Sequence, residues 1–244
     1  MHFKTKIYFD MKKRIFTTIV ALIAVMIGTN VQAQKQAKPT SCQVKFSLKY
    51  EGEYDPQTKA QMPTEQIYTI FGNKTKYNMN LGISVVVITD GDATKMVQLF
   101  DYPGMPFAIV REKDQVEEIF AGTSFKYEKN GQTKNICGYE CTGYNYSVYS
   151  EDSEDPVATG VVYTTTAIGT SSAINFMTFP NLEGYPLYSE QTSTKSGNKT
   201  IREAVEIKKS KANAGAFLIP ENYKILSDEE IESLFGGSDD EDEF

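Results

Sequence analysis

An apolar residue alternates with a polar one throughout the stretch Gln43-Val44-Lys45-Phe46-Ser47-Leu48-Lys49-Tyr50. Successive side chains of a β-strand point to opposite faces, so this period of two predicts a strand with one buried face. The same signals recur at short spacing along the chain. They predict further strands at 67–71, 74–80, 83–89, 94–100, 125–127, 144–149, 160–165, 187–192 and 200–207. We therefore expect a mainly β protein built on a curled antiparallel sheet with one or two short helices.

Local signals refine this outline. Gly72-Asn73 predicts a hairpin, and Asn130-Gly131 is the strongest short hairpin signal in the chain. The β-branched run at 83–89 suits a strand buried on both faces. A loop is expected from residue 55, and a short extended piece at 216–220. Two helices are expected, at 114–120 and at 227–235, where Ser227 and Glu230 have the spacing of a capping box.

The N-terminus has the parts of an export signal. Met11-Lys12-Lys13-Arg14 is basic, an apolar run follows to residue 27, and Val31-Gln32-Ala33 is a small-residue cleavage motif. We predict a signal peptide at 1–33, cleaved after Ala33. The apolar run is shorter than the roughly 20 residues that span a bilayer. We therefore expect a soluble periplasmic or secreted protein with no membrane span in the mature chain.

Composition narrows the functions open to the mature protein. The single histidine, His2, lies in the predicted signal, which excludes Ser-His-Asp catalysis and His-ligated zinc. Removal of the signal leaves 20 Lys and Arg against 31 Asp and Glu, a net charge of −11. Nine of the acidic residues lie at 228–244 with no basic residue among them. Such acidity argues against a nucleic-acid partner. We expect no metal and no cofactor.

The predicted domain organisation follows from these observations. A polar leader at 34–42 precedes a β-rich domain at 43–226, a short helix at 227–235 and an acidic disordered tail at 236–244.

Three cysteines remain after export, and an odd number leaves at least one thiol without an intramolecular partner. In a continuous strand Cys137 and Cys141 would lie about 13 Å apart, too far for a disulfide. Either the chain bends at Gly138, or one of the two bonds Cys42, or all three are small buried apolar residues.

The last third of the chain carries a resemblance. Its motifs are Leu182-Glu183-Gly184-Tyr185-Pro186-Leu187 and Phe217-Leu218-Ile219-Pro220-Glu221-Asn222-Tyr223-Lys224, preceded by Ile136-Cys137-Gly138-Tyr139-Glu140-Cys141. Their order resembles the GLPGLI-type exported proteins of Gram-negative bacteria and their relatives of unknown function. This chain lacks the second glycine of that motif, so it is more similar to a sister group. The resemblance implies a LolA-like half-barrel, an envelope location and no established activity.

Candidate binding residues lie in a segment rich in Pro, Met and aromatic residues, at 99–107. Adaptable Met and rigid aromatic side chains suit an apolar ligand, although core packing explains them as well. Tyr102, Met105 and Phe107 are the candidates. The leading hypothesis is a non-enzymatic envelope protein that binds a lipid or another apolar or amphipathic ligand in the curled sheet. The alternative is an interaction or scaffold module that docks another envelope protein through an edge strand or the acidic tail. A hydrolase based on paired carboxylates is the third.

Overall fold

Burial alternates along the strands as the sequence alternates. In β1, Val44 and Phe46 are buried, whereas Gln43, the residue before Val44, is exposed. The computed structural model describes residues 41–80, 83–168 and 172–235. The strands are β1 (Ser41–Glu51), β2 (Glu65–Phe71), β3 (Lys74–Asn80), β4 (Ser84–Asp90), β5 (Lys95–Asp101), β6 (Phe107–Arg111), β7 (Thr123–Ile136), β8 (Tyr139–Ser150), β9 (Ala158–Thr165), β10 (Tyr185–Ser193), β11 (Lys199–Lys209) and β12 (Lys224–Ile225).

These strands form one open, curled sheet of twelve strands in the described part of the chain, in the order β12-β6-β5-β4-β3-β2-β1-β11-β10-β9-β8-β7. Two antiparallel meanders, β1 to β6 and β7 to β11, join where β1 pairs with β11. Among the described strands, only the two-residue β12 is parallel to its neighbour, β6. The predicted fold class, mainly β with a curled antiparallel sheet and few short helices, is confirmed.

Within the described residues three short helices accompany the sheet: α1 (Pro56–Gln61), α2 (Lys113–Ile119) and α3 (Asp228–Phe235). Both expected helices are present. The capping box of α3 forms as the sequence predicts, because the Glu230 amide donates to Ser227 Oγ and the Ser227 amide to Glu230 Oε2. Two 3-10 turns, Ser172–Asn175 and Ala214–Phe217, complete the regular structure.

The prediction of a hairpin at Asn130-Gly131 is wrong. Strand β7 runs straight through these residues, and its register with β8 shifts between Lys129 and Thr133. Gly131 takes the positive φ of a β-bulge there. The reversal lies instead at Cys137-Gly138, where both residues have positive φ as a two-residue hairpin turn requires.

Three other boundaries differ from the expectations. Helix α1 replaces the expected loop from residue 55, because Asp55 caps it by accepting from the Thr58 amide. The 3-10 turn Ala214–Phe217 replaces the start of the expected extended piece. Strand β1 begins at Ser41, so the last two residues of the predicted leader belong to the sheet. The predicted signal peptide, the rest of the leader and the acidic tail lie outside the described residues.

Strands β4 to β6 are buried on both faces, as predicted for residues 83–89. On one face, residues 212–223 cover an apolar cluster, with Phe217 buried and Ile219 half-buried against it. The opposite face, called the inner face below, carries three more apolar clusters. Cluster 1 centres on β1 and β2, cluster 2 on β4 to β6 and α2, and cluster 3 on β7 to β9.

Candidate functional site

A segment between β9 and β10 crosses the inner face. We call residues 172–184 the crossing segment. Ile174 belongs to cluster 1, Phe176 and Met177 pack against cluster 2, and Phe179 and Leu182 belong to cluster 3. One stretch of chain therefore contacts all three apolar clusters and covers much of the inner face.

Asn175 holds this segment in its path. Its side chain is fully buried, and Nδ2 donates to the backbone carbonyls of Leu182 and Gly184. The Asn175 carbonyl also accepts from the amides of Thr178 and Phe179. Asn175 Oδ1 is buried and has no hydrogen-bond partner among the described residues. The crossing segment is thus tied to itself by hydrogen bonds and to the sheet by apolar contacts.

Cluster 2 is not fully covered. Seven half-buried side chains pack against it, and we call the six other than Tyr77 the apolar rim. The rim residues are Met79, Ile83, Ile119, Phe176, Met177 and Ile231. They come from β3, the residue before β4, α2, the crossing segment and α3, so five separate parts of the chain meet there. Below them lies a buried floor that includes Phe100 and Phe107, whose rings stack 4.8 Å apart.

Aromatic side chains of cluster 1 surround one positive charge on the inner face. The Arg202 guanidinium lies 3.9 Å from the ring centroid of Phe46 and 4.9 Å from that of Tyr68. Tyr68 stacks on Tyr77 at 4.6 Å, and Tyr77 packs against both cluster 1 and cluster 2. No carboxylate of the described residues forms an ion pair with Arg202. The inner face therefore carries a cation stabilised by ring faces rather than by an acid.

The tyrosines of the inner face stay protonated. Burial raises the pKa of Tyr68, Tyr77 and Tyr185, partly opposed in each case by the Arg202 charge. Burial also raises the pKa of Tyr50 to about 12, with a smaller contribution from Tyr54. The Tyr50 and Tyr68 hydroxyls donate to the Pro63 carbonyl and to Gln66 Oε1, and all four hydroxyls stay neutral at neutral pH. The described residues contain no group of three potential metal ligands.

The structure separates the three predicted site residues. Phe107 is buried in cluster 2 at 5% exposure and forms part of the floor beneath the rim. Tyr102 and Met105 are 41% and 43% exposed in the turn between β5 and β6, where the Met105 amide donates to the Tyr102 carbonyl. Of the three, Phe107 alone is among the residues of the candidate site.

All three cysteines are free thiols. The chain does bend at Gly138, which was one of the three possibilities, but no disulfide results. Cys42 and Cys141 are buried in cluster 1, where burial raises the pKa of each thiol to about 11. Cys137 is exposed on the hairpin turn and donates to the Ala204 carbonyl, 3.2 Å away.

Sequence patterns contain little indication of the rim or of the crossing segment. One signal was present. Residues 172–182 contain no charged residue and include Ile174, Phe176, Met177, Phe179 and Leu182, a composition too apolar for a solvated loop.

No family model matches the chain, and no curated protein matches its sequence. The resemblance to GLPGLI-type proteins therefore remains a prediction. Among solved structures, PNGF-II matches at 13% identity and a TM-score of 0.50, over 81% of this chain and 33% of PNGF-II. The chain thus spans about a third of the length of that protein. At this identity the likeness concerns the fold alone.

Two further matches are weaker. MucB, also solved in complex with MucA(peri), matches at 10% identity and a TM-score of 0.31, over 77% of this chain and 60% of MucB. A LolA-superfamily protein from Nitrosomonas europaea matches at 11% identity and a TM-score of 0.25, over 74% of this chain and 90% of its own.

Proposed function

We propose that this chain is an exported, non-enzymatic protein of the cell envelope that binds an apolar or amphipathic ligand at the apolar rim. The observation that carries the proposal is the rim itself, with six half-buried apolar side chains around a buried aromatic floor. Two of the six are methionines, whose unbranched side chains adapt to ligands of different shape. When a ligand removes this half-buried apolar surface from water, the free energy of binding becomes more favourable by about 25 cal/mol for each Å² removed.

The positive charge on the inner face favours an amphipathic ligand over a purely apolar one. Arg202 has no carboxylate partner among the described residues, and Tyr77 connects its aromatic surroundings to cluster 2. A long-chain anion such as a fatty acid can therefore place its tail on the rim and its head group towards the guanidinium. This is the reason to use a fatty acid as the probe.

The crossing segment limits the size of that ligand. Because residues 172–184 already occupy the inner face over clusters 1 and 3, the ligand binds at the rim and does not fill the whole half-barrel. A larger ligand would require the crossing segment to move away from the sheet.

The envelope location rests on the predicted signal peptide at 1–33. No helix among the described residues has the length and apolar composition needed to cross a membrane. The mature chain is accordingly proposed to act in the periplasm or outside the cell.

Binding of a fluorescent fatty acid to the mature chain, residues 34–244, tests the proposal. Ile231→Glu places a charge on the rim and should weaken binding about tenfold or more. Leu234→Glu is the matched control, because Leu234 lies on the same helix, α3, but is 43% exposed and should leave binding unchanged. Met177→Glu repeats the test from the crossing segment, so that displacement of α3 cannot account for the result.

Saturable binding that both rim variants weaken and the control preserves supports the proposal. Absence of binding, or equal binding by all four proteins, contradicts it.

A second candidate function is a protein-interaction module, and one observation favours it. Strand β7 lies at the edge of the sheet, is 14 residues long and pairs with β8 alone among the described strands. Docking through this edge, or through the acidic tail at 236–244, would recruit another envelope protein.

A further inference from the structure

The two ends of the sheet differ greatly in length. At one end β12 has two residues, too few to template a partner strand. At the other end β7 has 14 residues, and its outer side has no neighbouring strand in the described chain. Its regular part is Thr123 to Lys129, because the bulge follows. Within it, the backbone from Phe125 to Lys129 has no neighbouring strand on the outer side among the described residues.

The register shows which backbone groups face outward. The Glu151 amide donates to the Gly122 carbonyl at 2.6 Å, and Thr123 lies opposite Ser150 in the same antiparallel pair. Because hydrogen-bonded pairs alternate along such a ladder, residues 124, 126 and 128 exchange bonds with β8. The N–H and C=O groups of Phe125, Tyr127 and Lys129 therefore point away from the sheet.

The side chains beside these groups carry opposite charges. Lys126 and Glu128 are both exposed and lie two residues apart, hence on the same face of β7. Neither forms an ion pair among the described residues. Lys126 Nζ lies 4.3 Å from the ring centroid of Tyr149. A charged edge normally prevents pairing, but a Lys and a Glu at this spacing complement a second copy of themselves.

We propose that β7 docks a second copy of this chain, antiparallel about a twofold axis at Tyr127. In this register Tyr127 lies opposite Tyr127 of the second copy, and Lys126 lies opposite Glu128 twice. The outward groups of Phe125, Tyr127 and Lys129 then form about six main-chain hydrogen bonds. The half-buried ring of Tyr127, which packs against cluster 3, meets its counterpart at the axis.

Neighbouring registers are disfavoured by charge. A slide of the second copy by two residues in one direction places Lys126 opposite Lys126, and a slide by two in the other direction places Glu128 opposite Glu128. A slide by one residue would place outward groups opposite groups that already bond β8. Like charges directly opposite each other destabilise a strand pair. The edge therefore specifies one register with its own copy. This inference names the partner of the edge in the second candidate function and is independent of ligand binding at the rim.

Charge reversal in the full mature chain tests the dimer, with mass measured by sedimentation equilibrium. Lys126→Glu and Glu128→Lys each replace two attractive pairs by two repulsive ones, so each should weaken dimerisation about 30-fold. The double variant restores both pairs and should dimerise like the wild type. An equimolar mixture of the two single variants should form a heterodimer, because their charges complement each other.

Glu221→Lys is the matched control, since Glu221 is exposed in the turn before β12, at the other end of the sheet. It should leave the dimer unchanged. A wild-type chain that stays monomeric at about 200 μM overturns the proposal. A dimer whose dissociation constant is unchanged by the single charge reversals overturns it as well, and so does a double variant that is folded but stays monomeric. Fatty-acid binding measured on the same proteins reports separately on the rim.

Discussion

Asn175→Ala removes the side chain that ties the crossing segment together. In the native chain its Nδ2 donates to the carbonyls of Leu182 and Gly184 in a fully buried position. Alanine supplies neither donor, so both carbonyls lose a buried hydrogen bond. Because residues 172–184 cover the inner face, we expect this change to open the segment locally rather than to unfold the sheet.

The magnitude follows from the hydrogen bonds lost. Each buried carbonyl left without its donor costs about 1–3 kcal/mol. The same substitution removes Oδ1, which is buried without a partner and whose loss offsets part of that cost. The free energy for opening the crossing segment should therefore fall by about 2–4 kcal/mol. Amide exchange in this segment should become about 30- to 1,000-fold faster.

Hydrogen–deuterium exchange read by mass spectrometry measures this directly, on peptides that cover residues 172–184 and, for reference, β8 and β9. Thr178→Ala is the control, because its half-buried side chain lies in the same segment without a hydrogen bond to the two carbonyls. It should change the opening free energy by less than about 0.5 kcal/mol. Unchanged exchange in Asn175→Ala, or equal acceleration throughout the sheet, would refute the role assigned to Asn175.

Two further predictions concern packing and thiol chemistry. Gly160→Ala should lower the free energy of unfolding, measured in urea, by about 3 kcal/mol or more. The new Cβ would clash with the Glu190 carbonyl and lie 2.8 Å from the Tyr146 ring. A loss below about 1 kcal/mol would show that the neighbouring strands shift to accommodate the Cβ at little cost. Maleimide at pH 8 should label one thiol per native chain, the exposed Cys137, and the two buried thiols only in denaturant. Labelling of a second thiol in the native chain would contradict the burial described for cluster 1.

The local parts of the fold could be predicted from the sequence. The alternation at 43–50 fixes which residues of β1 face the core, and the capping box at Ser227 fixes the start of α3. The pairing of β1 with β11, which places Cys42 opposite Lys209, could not be predicted. A period of two determines the buried face of a strand and carries no information about its partner.

The misplaced hairpin shows a second limit. Gly131 and Gly138 both adopt positive φ, one in a bulge and one in a turn. Both motifs need the same backbone conformation, so a local pattern cannot distinguish them. At the turn that does form, the Cys137 thiol donates to the Ala204 carbonyl of β11, a contact with a residue that is distant in sequence.

The candidate site was harder to predict because its residues are far apart in sequence. The rim joins Met79 to Ile231, and each of its residues alone looks like ordinary core. Tyr102, Met105 and Phe107 were predicted together from their aromatic, proline-rich segment, but only Phe107 is buried, whereas Tyr102 and Met105 lie in an exposed turn. Composition revealed apolar character and could not reveal which side chains converge.

Mass spectrometry of the natively purified mature chain tests the central claim most directly. Spectra under native conditions, followed by analysis of an organic extract, should show a bound amphipathic molecule, and Ile231→Glu should lose it while Leu234→Glu retains it. A chain that carries no small molecule and binds no added fatty acid would contradict the proposal that the apolar rim is a ligand site.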